Sequence, residues 1–142
     1  MTKLSWFGVV LGLLVMLAPV AAQETITGPD DWQATITGQV EAFRLHDAPG
    51  ALSFAGQSFK EGFADPQVFL QAIVDWGYAP IVDSRSHSFG AYRLIGPDMV
   101  LQSVTFVGPD QSLYEAIYQL NLEDAGWRVG GVELIKTPGV GV

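Results

Sequence analysis

The sequence predicts an α+β fold in which several helices pack against one face of an antiparallel sheet. Apolar residues recur at helical spacing in the first part of the chain and at every second position after Pro80. The strand-like segments are joined by short links rich in Gly, Pro and Asp, which are typical of turns between neighbouring antiparallel strands. The length of 142 residues suits one domain with a single core.

The N-terminus predicts a signal peptide. Lys3 is its only side-chain cation, an apolar run extends from Leu4 to Val20, and the small residues Val20 and Ala22 fit the positions that a signal peptidase recognises. A retained membrane anchor is the alternative, because the run approaches the roughly 20 residues that cross a bilayer. Cleavage after Ala22 predicts a periplasmic or secreted protein. The expected organisation is a signal peptide at 1–22, a flexible leader at 23–29, one α+β domain at 30–136 and a frayed tail at 137–142.

Three helices are expected next. The first covers Asp31 to Leu45, and a short second helix begins at Asp47-Ala48-Pro49. The third runs from Pro66 to Trp76, where Asp65 supplies the cap and Gly77 ends the helix in the left-handed conformation. The predicted buried edge of the second helix consists of Leu52, Ala55 and Phe59.

Four strands follow, rich in aromatic and β-branched residues. Their predicted bounds are Ser86 to Ile95, Met99 to Val107, Ser112 to Leu122 and Trp127 to Lys136. The aromatic residues expected in the core are Trp32, Trp76, Trp127, Phe89, Tyr92 and Phe106.

The net charge and the composition exclude several classes of binding partner. The formal net charge is −8 and becomes more negative by one if Lys3 is removed with the signal peptide. Such a chain repels phosphate backbones and anionic lipids, so neither nucleic acid nor, after cleavage, a membrane is expected as a partner. A basic protein partner of the cell envelope stays a hypothesis. The sequence has no Cys, no phosphate-binding loop and no metal-ligand spacing, so we expect no disulfide, cofactor or metal.

Three segments resemble the nuclear-transport-factor-2-like superfamily, the SnoaL-like and cystatin-like α+β cones. They are the helix Trp32 to Leu45, the segment Phe69 to Pro80 and the ending Trp127-Arg128-Val129-Gly130-Gly131-Val132-Glu133-Leu134. More narrowly, the chain is similar to an uncharacterised family of exported bacterial domains. The resemblance implies a strongly curved, mainly antiparallel four-stranded sheet wrapped around the helices as a cone-like barrel, with a pocket inside. A bulge at Gly130 and Gly131 would bend the last strand accordingly.

The candidate catalytic residues are His87, Tyr118 and Glu115. His87 lies near Asp83 and is one of only two histidines that could exchange protons near neutral pH. Tyr118 and Glu115 lie on opposite faces of the third strand, so only one of them can face a pocket. Ketosteroid isomerase of the resembled superfamily uses a tyrosine and carboxylic acids, but its catalytic aspartates match no positions in this sequence.

The expected ligand pocket consists of Tyr114, Tyr118, Arg93 and Trp127. The two tyrosines share one strand face and would line the pocket if that face looks inward, whereas packing in the core is their plainer interpretation. Arg93 could hold a ligand carboxylate or pair across strands with Glu115.

The predicted function is non-catalytic binding of a small apolar ligand or of a protein partner. The alternative is a proton-transfer isomerase or lyase that uses the same pocket. A homodimer is a further hypothesis, because Leu113, Ile117 and Val132 would leave the outer face of the sheet apolar.

Overall fold

The computed structural model describes residues 28–136. The predicted signal peptide, leader residues 23–27 and the predicted tail at 137–142 lie outside the described residues. Within residues 28–136, no helix has the length and apolar character needed to cross a membrane.

The helices come first. They are α1 (Pro29–Arg44), α2 (Ala48–Ser53), α3 (Gln57–Gly62), α4 (Pro66–Ile73), a π-helical turn (Val74–Tyr78) and α5 (Ala79–Val82). The predicted first helix is therefore confirmed with a start two residues earlier, because Pro29 occupies the first turn, where its missing N–H costs nothing.

The predicted second helix is wrong in its length. Asp47 caps its start, since its carboxylate accepts a hydrogen bond from the Gly50 amide at 3.0 Å. The helix stops at Ser53, because the next residues pair with the last strand of the sheet. The Gly56 amide donates to the Val129 carbonyl and the Val129 amide donates to the Phe54 carbonyl, each at 2.9 Å. A separate helix, α3, then begins.

The predicted third helix forms, but it ends earlier than expected. Asp65 caps it by accepting a hydrogen bond from the Gln67 amide at 2.9 Å. After Ile73 the chain passes into the π-helical turn, in which Gly77 has φ = 101°. That conformation favours glycine, as the sequence predicted. The turn carries Trp76 to the surface, where 58 % of its side chain is exposed, so its predicted place in the core is wrong.

The sheet is a four-stranded antiparallel meander in the order β1-β2-β3-β4. The observed strands are β1 (Ser86–Leu94), β2 (Met99–Val107), β3 (Leu113–Glu123) and β4 (Gly126–Lys136). They match the predicted strands to within one residue at each end. Helices packed on such a sheet confirm the predicted α+β class, whereas the curled sheet does not close into a barrel, because β1 and β4 are its edges.

Each edge strand contains a bulge. In β1 the pairing with β2 shifts between Phe89 and Tyr92. In β4 the register shifts so that Gln119 pairs with Gly131 and Leu120 with Val129, which leaves Gly130 unpaired. The predicted bulge is thus present, and bulges of this kind bend a strand. A side chain at Gly130 would collide with Asn121, since an added Cβ would lie 2.6 Å from Oδ1.

The bulge at Gly130 reverses one expectation. Because Val132 pairs with Tyr118, it lies on the inner face of the sheet, which is the face that packs against the helices. Its predicted place on the outer face is therefore wrong, since one extra residue exchanges the two faces of a strand.

The core lies between the inner face and α1. Trp32 on α1 packs edge-on against Trp127 and Tyr92, with ring centroids 5.4 and 5.1 Å away. Trp32, Trp127 and Phe106 are buried as predicted, and Phe89 is half-buried against the core. Tyr92 is 45 % exposed at the sheet edge, so its predicted place in the core is wrong. Thr35 ties the same helix to β4 by donating to the Trp127 carbonyl at 3.0 Å.

Candidate functional site

A cavity of about 210 Å³ lies between the inner face of the sheet and the helices. Its walls come from α1, α3, α4, the π-helical turn, α5, β3 and β4, and are mostly apolar. Trp76, more than half exposed, borders it and marks its solvent side. The lining residues are Gln39, Phe43, Ala55, Phe59, Phe69, Ile73, Trp76, Tyr78, Ile81, Tyr118, Val129, Gly131 and Val132.

Two neighbouring features of β4 shape this cavity. The bulge at Gly130 turns Val132 inward, opposite Tyr118. The bridge between Ala55 and Val129 holds the break between α2 and α3 against the same strand. Phe69 supplies the far wall, where it stacks on Phe43 with ring centroids 6.2 Å apart. Together these contacts leave room between the helices and the sheet that no side chain of residues 28–136 fills.

Tyr118 is the polar group that distinguishes the cavity. Its side chain is 1 % exposed and lines the cavity from the centre of β3. Its hydroxyl makes no hydrogen bond with any residue of the range 28–136. Burial raises the pKa of this hydroxyl far above its usual value, and the nearby Tyr78 raises it further, so the phenol stays protonated. An uncharged hydrogen-bond donor therefore borders an apolar space.

Two other polar side chains of the lining donate hydrogen bonds to backbone carbonyls. The Tyr78 hydroxyl donates to the Val132 carbonyl at 2.7 Å, and the side-chain amide of Gln39 donates to the Ala51 carbonyl at 3.1 Å. No Asp, Glu, His, Lys or Arg belongs to the lining. The cavity consequently offers neither a general base nor a partner for an ionic group.

Of the four predicted pocket residues, the structure places Tyr118 at the cavity. Tyr114 shares the inner face of β3 but lies beyond the lining, half-buried beside Lys136, whose Nζ is 5.9 Å from its ring centroid. Trp127 is buried in the core against Trp32. Arg93 projects from the outer face of β1, where it borders a shallow depression with Leu101 and Ile117.

The three candidate catalytic residues do not converge. Glu115 projects from the outer face of β3, where it accepts a hydrogen bond from Ser103 Oγ at 3.0 Å. Tyr118 and His87 both face inward, but the ring of Phe106 lies between them, with centroids 6.3 Å from Tyr118 and 5.9 Å from His87. The geometry therefore does not assemble this set around one point.

His87 is held by two residues of α1. Its Nδ1 lies 3.0 Å from Arg44 Nη2, and its Nε2 lies 3.1 Å from Thr37 Oγ1. Since a guanidinium only donates, Nδ1 must accept, and the ring proton belongs on Nε2. Burial lowers the pKa of His87, Arg44 lowers it further, and Glu41 opposes them. This neutral imidazole joins the helix to β1.

Sequence reasoning missed Gln102, the most extensively bonded side chain of the inner face. It is fully buried, and its Oε1 accepts from Trp32 Nε1 at 2.8 Å and from Gln33 Nε2 at 3.1 Å. Its Nε2 donates to the carbonyls of Gly90, Ala91 and Ser103 at 2.9 to 3.3 Å. The signal was present, because Gln102 alternates with the apolar Val100, Val104 and Phe106 along β2.

The outer face of the sheet is mixed in character. Leu113 and Ile117 are half-buried and Ile135 is 49 % exposed, whereas Glu115 and Glu133 are exposed beside them. Homodimer formation through this face stays a prediction. Among residues 28–136, no three His, Asp or Glu side chains are arranged to hold a metal ion.

Comparison with known proteins gives a family and a fold. The family model described as "Domain of unknown function (DUF4864)" matches residues 27–142. A crystal structure of a domain of unknown function with a cystatin-like fold, from Nostoc punctiforme, is similar with a TM-score of 0.55 and 13 % sequence identity. The match covers 80 % of this chain and 82 % of that one, and at this identity it supports the fold alone. No curated protein matches the chain.

Proposed function

The chain belongs to the DUF4864 family of domains of unknown function, and from that premise we propose that it is an exported bacterial domain that binds a small apolar ligand in the cavity beneath α1. The observation that carries the proposal is the cavity itself, whose walls are almost entirely aliphatic and aromatic. Protein interiors are normally packed without voids larger than a water molecule. A space of this size therefore favours a binding role over a purely structural one.

The size of the cavity limits the ligand. A volume of about 210 Å³ exceeds the roughly 150 Å³ of an apolar cavity that holds benzene, and it is below the usual range for drug-sized molecules. A single ring with a small substituent, or a short acyl chain, fits this space. Burying an ion without a partner is costly, and the lining has no charged side chain, so the ligand is uncharged.

The absence of a carboxylate or imidazole from the lining favours binding over proton transfer. Proton-transfer catalysis requires a group of suitable pKa within hydrogen-bond reach of the substrate. His87, the histidine that the sequence suggested for this role, is bonded to Arg44 and Thr37 and separated from Tyr118 by Phe106.

Filling the cavity tests the proposal. The probe is α-methylstyrene, an uncharged hydrocarbon of one ring, titrated into the protein and followed by amide chemical shifts. We expect a dissociation constant of about 1 mM or lower. Val132→Phe places a ring in the cavity and should weaken binding at least about ten-fold, because the ligand and the new side chain compete for one space.

Ile117→Phe is the matched control, since it adds a similar volume to the outer face of the neighbouring strand. Binding should survive this change. If both variants weaken binding equally, or if the unmodified protein binds neither α-methylstyrene nor its carbonyl analogue acetophenone, the cavity is not the binding site.

Export and retention of a natural ligand are tested together by native mass spectrometry of the protein purified from the periplasm or the medium. A chain that begins at Gln23 would support cleavage after Ala22, as the small residues at 20 and 22 favour. Recovery of the chain from the membrane fraction with an intact N-terminus would instead favour the retained anchor. An additional mass that denaturation releases would identify the ligand, and the same spectrum gives the number of subunits.

A further inference from the structure

We propose that the ligand of the cavity carries one uncharged oxygen acceptor, of the carbonyl type, which accepts a hydrogen bond from the Tyr118 hydroxyl. This inference rests on the binding function proposed above and names the chemistry that selects the ligand. It does not follow from the apolar walls, which would admit a hydrocarbon equally well.

The Tyr118 hydroxyl is an uncommitted donor beside the cavity. Tyr118 is 1 % exposed and lines the cavity, and no residue of the range 28–136 accepts from its hydroxyl. Among these residues, the side-chain atom that is sealed from solvent without a partner is Arg128 Nε, so the Tyr118 hydroxyl is not closed off by packing. A phenylalanine in this position would fill the same volume without offering a donor. The hydroxyl is therefore available to an acceptor that enters the cavity.

The position of the hydroxyl sets the orientation of the ligand. Tyr118 lines the cavity, whereas the Tyr78 hydroxyl and the side-chain amide of Gln39 donate to the backbone carbonyls of Val132 and Ala51. Trp76 also carries an N–H, but this residue is more than half exposed and borders the solvent side. An incoming oxygen therefore meets a free hydroxyl at the end of a phenol ring fixed between Phe106 and β4.

The acceptor is uncharged, because the lining of the cavity contains no cationic side chain. Arg44 lies close enough to influence the ionisation of Tyr118, but it does not line the cavity, and its guanidinium is engaged by His87 and Ser84. A carboxylate in the cavity would lack a cationic partner. A neutral carbonyl requires only the hydrogen bond, so aldehydes, ketones and esters of about one ring in size fit the site.

The test uses two compounds of nearly the same shape, acetophenone and α-methylstyrene, in which a carbonyl oxygen replaces a methylene group. For each protein, the ratio of the dissociation constant of α-methylstyrene to that of acetophenone measures the preference for oxygen. Relative to the unmodified protein, we expect Tyr118→Phe to lower this ratio about five-fold, the usual contribution of one hydrogen bond. Comparing ratios cancels the different hydrophobicity of the two compounds.

Tyr114→Phe is the matched control, because Tyr114 lies on the same face of the same strand but outside the lining. The ratio should stay unchanged in this variant. If both compounds bind and Tyr118→Phe leaves the ratio unaltered, or if Tyr114→Phe lowers it equally, the inference is wrong while cavity binding stands. If neither compound binds the unmodified protein, both proposals fail.

Discussion

Gln102 and Tyr118 are direct neighbours in the sheet but differ in their hydrogen bonding. They pair in register across β2 and β3, both point to the inner face, and each is at most 1 % exposed. Gln102 is surrounded by partners on α1 and β1, and every polar atom of its amide is used. Tyr118 has none within residues 28–136 and borders the cavity. The comparison shows that one sheet face is divided into a closed half, which ties the fold together, and an open half, which borders the cavity.

The difference arises from what covers each residue. Over Gln102, Trp32 reaches down from α1 while the bulge of β1 turns the carbonyls of Gly90 and Ala91 toward the amide. Beside Tyr118, the cavity separates the sheet from α4 and the π-helical turn, and Tyr78 crosses to the sheet to reach the Val132 carbonyl. Each half thus depends on its own β-bulge. The bulge of β1 supplies acceptors to Gln102, and the bulge of β4 turns Val132 to the same face as Tyr118.

The largest expected effect comes from removing the amide of the closed half. Gln102→Leu has a similar shape but leaves the Trp32 indole N–H and the carbonyls of β1 without partners. Each unsatisfied buried group costs about 1–3 kcal/mol, so we expect the free energy of unfolding to fall by roughly 3 kcal/mol. Urea denaturation measures it.

Gln119→Leu is the control for this prediction, because Gln119 lies half-buried on the outer face of β3. Its effect should stay within about 0.5 kcal/mol, as for most surface substitutions. Equal losses in the two variants would mean that the network around Gln102 has no special role in stability.

The sequence predicts the closed half of the sheet face, around Gln102, better than the open half, around Tyr118. Alternation of apolar residues and the Gly-Pro-Asp turns predicted all four strands, and the alternation in β2 already places Gln102 on the apolar face. The inward direction of Val132 depends on the one extra residue in β4 at the glycine pair, and this register against β3 is not visible in the alternation of the sequence. Similarly, α2 ends at Ser53 because Phe54 and Gly56 bond to Val129, a residue more than 70 positions later. A cavity is the sum of such long-range contacts, so local patterns could not predict it.

A smaller effect on the free energy of unfolding is expected from His87, whose hydrogen bonds to Arg44 and Thr37 require the neutral imidazole. Burial, and then Arg44, lowers the pKa of His87 below its usual value of about 6.5, so the unfolded chain takes up a proton at a higher pH than the folded protein. The free energy of unfolding should therefore decline as the pH falls through about 6.5, and the loss should level off below the pKa of the folded state. Half-burial limits its size, because solvent screens part of the charge.

Urea denaturation at pH 7.5, 6.5 and 5.5 measures this decline, and His87→Gln, which keeps an acceptor for Arg44, should make it shallower. Glu41 faces the imidazole from α1 and opposes the shift, so Glu41→Gln should steepen the decline in the otherwise unmodified protein. Identical slopes in all three proteins would show that His87 does not link stability to pH.

The smallest effect on stability is expected at Tyr118. The sign of the change in the free energy of unfolding separates a binding residue, whose hydroxyl has no partner in the fold, from a structural one. Tyr78→Phe removes a hydroxyl that donates to the Val132 carbonyl at 2.7 Å, so it should lower the free energy of unfolding by about 1 kcal/mol. Tyr118→Phe removes a hydroxyl that has no partner to lose. Its stability should therefore stay unchanged or rise by up to about 1 kcal/mol, measured in urea without ligand. A loss equal to that of Tyr78→Phe would mean that the Tyr118 hydroxyl is bonded within the folded protein, and the open half of the sheet would then be closed like the other.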